Sequence, residues 1–160
     1  MKPQIERLES RLEMTGTITL SAGVLTIVGE AGSAKNTVDV FAPAPGLVAV
    51  HYQDGDSEVT DVFPLPDVQS IDDTGNARFN DIFNYTDINE RAVGTTGFNE
   101  FLTFGSGSNT WLGSDDCNVF VDYGHGKTDA TLGTGSNYVI GSAGSTSVHS
   151  AGGRDFIWLF

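Results

Sequence analysis

This chain of 160 residues predicts an all-β fold: a β-solenoid in the C-terminal half, a strand-rich N-terminal half and a short N-terminal helix. Three observations carry the prediction. Apolar and polar residues alternate at period two from Thr15 onward, and helical spacing is confined to the first fourteen residues. A glycine-led unit then recurs every nine or ten residues from Gly97 to the last strand.

The elements follow in order. Residues 1–14 place Ile5, Leu8 and Leu12 on one helical face, a short helical or extended segment with no apolar run or small-residue cleavage site of a signal peptide. Residues 15–93 form a β region with strands at 17–20, 24–28, 37–41, 47–52 and 59–63, each bounded by Gly, Pro, Asn or Asp. Pro43, Pro45, Pro64 and Pro66 fall at the ends of such runs, where a missing N–H costs least. Asp54-Gly55-Asp56-Ser57-Glu58 reads as a polar hairpin tip, and Asp72-Asp73-Thr74-Gly75-Asn76 as a turn.

Residues 94–160 hold the repeat. Thirteen of the 20 glycines lie there, and the only basic residues are Lys127 and Arg154. The unit Gly-x-(Asn/Asp/Thr)-x-apolar places polar residues at Asn99, Asn109, Asn118, Thr128, Asn137, Thr146 and Asp155. Nine residues suffice for a short strand and a tight turn, so two units close one coil, and each coil buries its apolar residue only against its neighbours. Alternate units sort onto two sheets. Phe101, Phe120, Val139 and Ile157 point inward from one, Trp111 and Val148, with Ala130, from the other. The polar residues form two edge ladders in which stacked amides hydrogen-bond from coil to coil.

The first sheet's outward positions carry Leu102, Val119, Val121, Tyr138, Ile140, Phe156 and Trp158 beside Glu100. That face is too apolar to stand in water, so it is expected to be covered by the N-terminal β region or by another subunit. A solvated face would speak against the register. With Phe160 and the apolar final strand, these residues predict a homo-oligomer formed through the outer face or the solenoid ends.

Composition removes other classes. With 21 acidic against 8 basic residues the net charge is −13, which disfavours nucleic acid and anionic membranes. No apolar run is long enough to span a bilayer. The single Cys117 forms no internal disulfide, and His51, His125 and His149 lack metal-ligand spacing. No set of nucleophile, base and orienting residue appears, so no enzyme activity is expected.

The run Phe79-Asn80-Asp81-Ile82-Phe83-Asn84-Tyr85-Thr86-Asp87-Ile88, leading into Gly94 and the nonamers, resembles the repeats-in-toxin family of calcium-binding nonapeptides, Gly-Gly-x-Gly-x-Asp-x-apolar-x. Leu8-Glu9-Ser10-Arg11 followed by 17–29 is similar to the start of such proteins, and Asp155-Phe156-Ile157-Trp158-Leu159-Phe160 resembles the end of type I secretion substrates. The resemblance is firm over 79–160. It implies a parallel β-roll, an extracellular or cell-surface location and, in intact copies, calcium between the turns. The departures bear on calcium. The family's aspartate is Asn at 99, 109, 118 and 137 and Thr at 128 and 146; Asp155 keeps it, and Asp129 lies one place off. Calcium wants about six to eight oxygens with several carboxylates. The weak metal candidates are therefore Asp155, Asp129, Asp54 and Asp56, and a metal-free solenoid is the expected state. The sequence thus points to a non-enzymatic, self-associating extracellular structural protein, filament or surface layer, with a calcium-responsive module secreted by a type I system as the alternative.

Overall fold

The computed structural model describes residues 16–141 and 145–160 and is an all-β protein built on a solenoid of about five turns. The segment 1–14, for which a helix was expected, lies outside the described residues. The strands are β1 (Thr17–Ser21), β2 (Val24–Val28), β3 (Lys35–Phe41), β4 (Leu47–Asp54), β5 (Ser57–Pro64), β6 (Ser70–Gly75), β7 (Phe79–Asn84), β8 (Asn89–Gly94), β9 (Phe98–Thr103), β10 (Asn109–Leu112), β11 (Asn118–Asp122), β12 (Thr128–Leu132), β13 (Ser136–Gly141), β14 (Thr146–Ser150) and β15 (Arg154–Leu159). Among the described residues the only helical element is a 3₁₀ turn, Leu65–Asp67, entered through Pro64.

The strands make two sheets. One has seven strands in the order β1-β2-β6-β8-β10-β12-β14, the other eight in the order β15-β13-β11-β9-β7-β3-β4-β5. Successive strands from β6 onward alternate between sheets and pair in parallel with the strand one coil away, as in Ile82, Phe101, Phe120 and Val139. The same ladder reaches back through β2 with β6 and β3 with β7, so it runs unbroken across residues 93 and 94. The N-terminal β region thus belongs to the solenoid. Its distinct part is the antiparallel pairing of β3, β4 and β5, an insertion that lengthens one coil, while β1 folds back antiparallel on β2.

One expectation fails here. Residues 72–75 are not a turn but part of β6, paired on both sides by β2 and β8. The polar tetrad reads as a loop only when its partner strands are left out of account.

Between the sheets the core is two columns. Val38, Ile82, Phe101, Phe120 and Val139 face Ile27, Ala92, Trp111 and Ala130, all buried. Small and large residues alternate: Trp111 is fully buried because Ala92 and Ala130 are its neighbours in the sheet, and its ring meets Phe120 at 5.3 Å. Val148 and Ile157 continue the columns in β14 and β15, the terminal strands of the two sheets among the described residues, and Ile157 is 45% exposed.

An amide ladder lies beside the larger column. Asn80 Nδ2 donates to Asn99 Oδ1 at 2.8 Å, Asn99 to Asn118 at 2.9 Å, Asn118 to Asn137 at 2.6 Å and Asn137 to Asp155 at 2.7 Å. The same side chains hold their turns: Asn118 Oδ1 accepts the Ser114 N–H while its Nδ2 donates to the Ser114 carbonyl. Glycine makes the room. A Cβ on Gly94 would stand 2.2 Å from the Asn99 side chain, so the last residue of that strand must be small for the amide to turn inward. On the opposite edge Asn109 donates to Thr128, which donates to Asp122, and Thr146 stands next in register. A strand slipped by one residue would turn every ladder amide to the outside, so these bonds specify register independently of what happens on the outer face.

Candidate interaction surface

The outward residues of the eight-stranded sheet are the feature with the clearest capacity to act. They stand in rows along the solenoid because the coils repeat in register. Phe79 and Phe98 lie 6.2 Å apart with their planes tilted by 45°, and the Arg78 guanidinium sits over Phe79. Tyr85, Phe104 and Tyr123 form a row just past the strand ends, with ring centroids 4.8 and 5.3 Å apart and nearly parallel planes. Tyr138 and Phe156 stack at 4.9 Å. In these last two groups the spacing is close to the strand-to-strand distance, so the rings stack face to face along the axis.

The described residues leave this face uncovered. The antiparallel strands β4 and β5 extend the sheet at its edge instead of folding over it, which overturns the expected cover by the N-terminal β region. Tyr138 is 38% exposed, Phe156 53%, Trp158 57% and Phe160 61%, whereas Val121 is buried and Leu102, Val119 and Ile140 are half-buried among their neighbours. The register stands with this face open, because the amide ladder and the glycine-dependent turns fix it from within.

Charge divides the same face. Toward β3 and β7 it carries Lys35 paired with Asp81, then Asp39 and Glu100, whose carboxyls burial pushes above the ordinary range. The outward positions of β11 and β13 carry Val119, Val121, Tyr138 and Ile140 and no charge. The seven-stranded sheet presents the opposite character: Asp72 ion-paired to Arg91 at 2.9 Å, Thr110, Asp129 and Ser147.

The calcium candidates do not come together. Asp54 and Asp56 flank the Gly55 tip between β4 and β5, where Asp54 accepts from the Ser33 hydroxyl. Asp129 sits on the outside of the seven-stranded sheet, 3.5 Å from His149. Asp155 ends the amide ladder, and its carboxyl is held below the usual range by the Ser150 hydroxyl and the Asn137 amide. Among the described residues no three of His, Cys, Asp and Glu converge as a metal site.

The turn carboxylates that the sequence left unassigned have another task. Asp87 Oδ1 accepts the Ser106 N–H at 2.7 Å and its hydroxyl at 2.8 Å, bonds that lower its pKa. Asp115 takes the Thr134 N–H in the same way, and Asp116 takes the Gly97 N–H. Each staple joins one turn to the turn a coil away. In each, one carboxylate oxygen receives a backbone N–H of the neighbouring coil. The signal was present in the sequence as a nineteen-residue offset between Asp87 and Ser106 and between Asp115 and Thr134.

The chain matches no protein-family model, no curated protein and no solved structure. Among the described residues no helix is long and apolar enough to cross a membrane.

Proposed function

We propose that this protein is a non-enzymatic structural β-solenoid, working outside the cell or on its surface, that associates with copies of itself. The observation that carries the proposal is the open aromatic face of the eight-stranded sheet. Isolated soluble domains rarely leave more than a few hundred Å² of contiguous apolar surface in water. Here the uncharged stretch over β11 and β13 continues into Phe156 and Trp158, a surface that a second copy with the same face would bury. The edge formed by β14 and β15, with Ile157 and Phe160 exposed, offers a second contact. A face that meets its own copy closes into a dimer, and one that meets a different patch propagates into a filament or layer. The extracellular placement leans on the resemblance of 79–160 to repeats-in-toxin proteins, and the reading takes the turns to stand without calcium.

Sedimentation and light scattering test the proposal. The wild type is expected to sediment as a dimer or larger species at about 10 μM, a range where weak self-association is already visible. Replacing Tyr138 and Trp158 together by serine should weaken the association at least roughly tenfold, the effect of about 1.4 kcal/mol at an interface, with an unchanged circular dichroism spectrum. Chelator or calcium should leave both the mass and the spectrum as they are. A monomer at every concentration would overturn self-association, and a coil-to-sheet change on adding calcium would return the calcium-responsive module.

A further inference from the structure

Two carboxyl groups lie inside the solenoid without a counter-charge. Asp73 on β6 stands in the column of Ile27, Ala92 and Trp111, and Glu90 on β8 in the column of Ile71, Asn109 and Thr128. Asp73 is 0% exposed, Asn109 3% and Glu90 4%. Both oxygens of Asp73, Oε1 of Glu90 and Oδ1 of Asn109 have no hydrogen-bond partner. Glu90 and Asn109 are directly opposite each other on neighbouring strands, and Asp73 is the diagonal neighbour of Glu90.

Their surroundings supply no cation. β2 contributes Leu25 and Ile27, and β10 contributes Asn109 and Trp111. From the other sheet β7 turns in Asn80, Ile82 and Asn84, and β9 turns in Asn99, Phe101 and Thr103. The titratable groups within influence are Tyr52 of β4, whose hydroxyl donates to Asn36, and Asp72 on the outer side, which is engaged by Arg91. No lysine, arginine or histidine is buried among the described residues. Four buried acceptor oxygens on neighbouring strands therefore lack a hydrogen-bond partner and a counter-charge, a setting that strongly disfavours two ionised carboxylates. A proton changes the account, because a neutral carboxyl is itself a donor.

We propose that the adjoining coils β6–β7 and β8–β9 carry a proton lock: Asp73 and Glu90 are protonated in the folded chain, Glu90 donates to Asn109 across the β8–β10 ladder, and loss of the protons in alkaline solution loosens these coils. Burial acts in the required direction on both groups. It raises Asp73 well above its ordinary value, an effect that a charge on Glu90, where ionised, and that of Asp72 increase, and raises Glu90 to about 8 against a smaller opposing effect of the Asn84 amide. An unfolded Glu90 titrates near 4.5. Between these values the folded chain holds a proton that the unfolded chain has lost. The stabilisation is thus complete below about 4.5 and is lost as the pH climbs through about 8.

Urea unfolding at pH 5 to 9, followed by circular dichroism, tests this on wild type, Glu90→Gln, Asp73→Asn and the outer-face control Asp72→Asn. One proton of difference changes the folding constant about tenfold per pH unit. The folding constant of Glu90→Gln relative to wild type should accordingly rise about tenfold per unit between roughly pH 5.5 and 7.5 and level off above about 8. Asp73→Asn should rise in the same direction, and Asp72→Asn should follow the wild type. Profiles of Glu90→Gln and Asp73→Asn parallel to wild type would overturn the lock. So would failure of both to fold at pH 5, since a carboxamide occupies the space of a neutral carboxyl.

Discussion

Phe120→Ala is expected to lower the unfolding free energy by about 3–5 kcal/mol, the range for emptying a buried aromatic site. Phe120 is fully buried, stacks on Phe101 at 5.0 Å with planes 7° apart and touches Trp111 at 5.3 Å. The cost should fall at the upper end because the walls cannot close in. The flanking strands are held by ladder bonds and by the amide row, and Ala92 and Ala130 offer no side chain long enough to fill the void. Urea unfolding of wild type and variant measures it. Phe120→Leu, which keeps most of the volume, should recover more than half of the loss. A change below about 1 kcal/mol for the alanine variant would mean that the column is not packed as described.

Asn118→Ala should cost about 3–4 kcal/mol although it removes only a small polar side chain. Asn118 sits mid-ladder: it donates to Asn137 and to the Ser114 carbonyl and accepts from Asn99 and the Ser114 N–H, all in a buried environment. Each bond contributes only about 1 kcal/mol net, but a buried donor or acceptor left without a partner costs about 1–3 kcal/mol. Deletion leaves Asn99 Nδ2, Asn137 Oδ1 and the Ser114 backbone to find new partners. Ser114 Oγ already accepts from Asn99 and softens one of these losses. Asn118→Asp should be no better, because an ionised carboxylate accepts from Asn99 but has nothing to donate to Asn137. Denaturant midpoints separate the cases. If Asn118→Asp proves as stable as wild type, the ladder is not the directional chain of amides described above.

Much of this was legible in the sequence at two levels. The strands over 17–64 could be read because Val, Ile and Thr alternate with polar residues between Gly and Pro. The coil could be read because Asn99, Asn118 and Asn137 recur at a fixed spacing that only stacking makes useful. Asp73 and Glu90 went unread. Glu90 stands nineteen residues before Asn109 and is an inward residue by register, yet a charged type suggests an outward position, and no glycine-led unit marks its strand in the sequence. Asp73 was hidden by its polar neighbours, which look like a turn when the partner strands are unknown.

By itself the sequence determined the period. Glycine where a turn must pass close to the next coil, an amide at the head of the strand and an apolar residue two places on are local requirements, so they are written locally and can be read there. Only the tertiary structure decided what each coil lies against. The insertion of β4 and β5 at the edge instead of over the face, the aromatic rows left in water and the two acids shut inside all depend on contacts between residues a full coil or more apart. Burial belongs to the assembled stack and not to any segment of it, and it is burial that sets both the exposure of that face and the protonation of those acids.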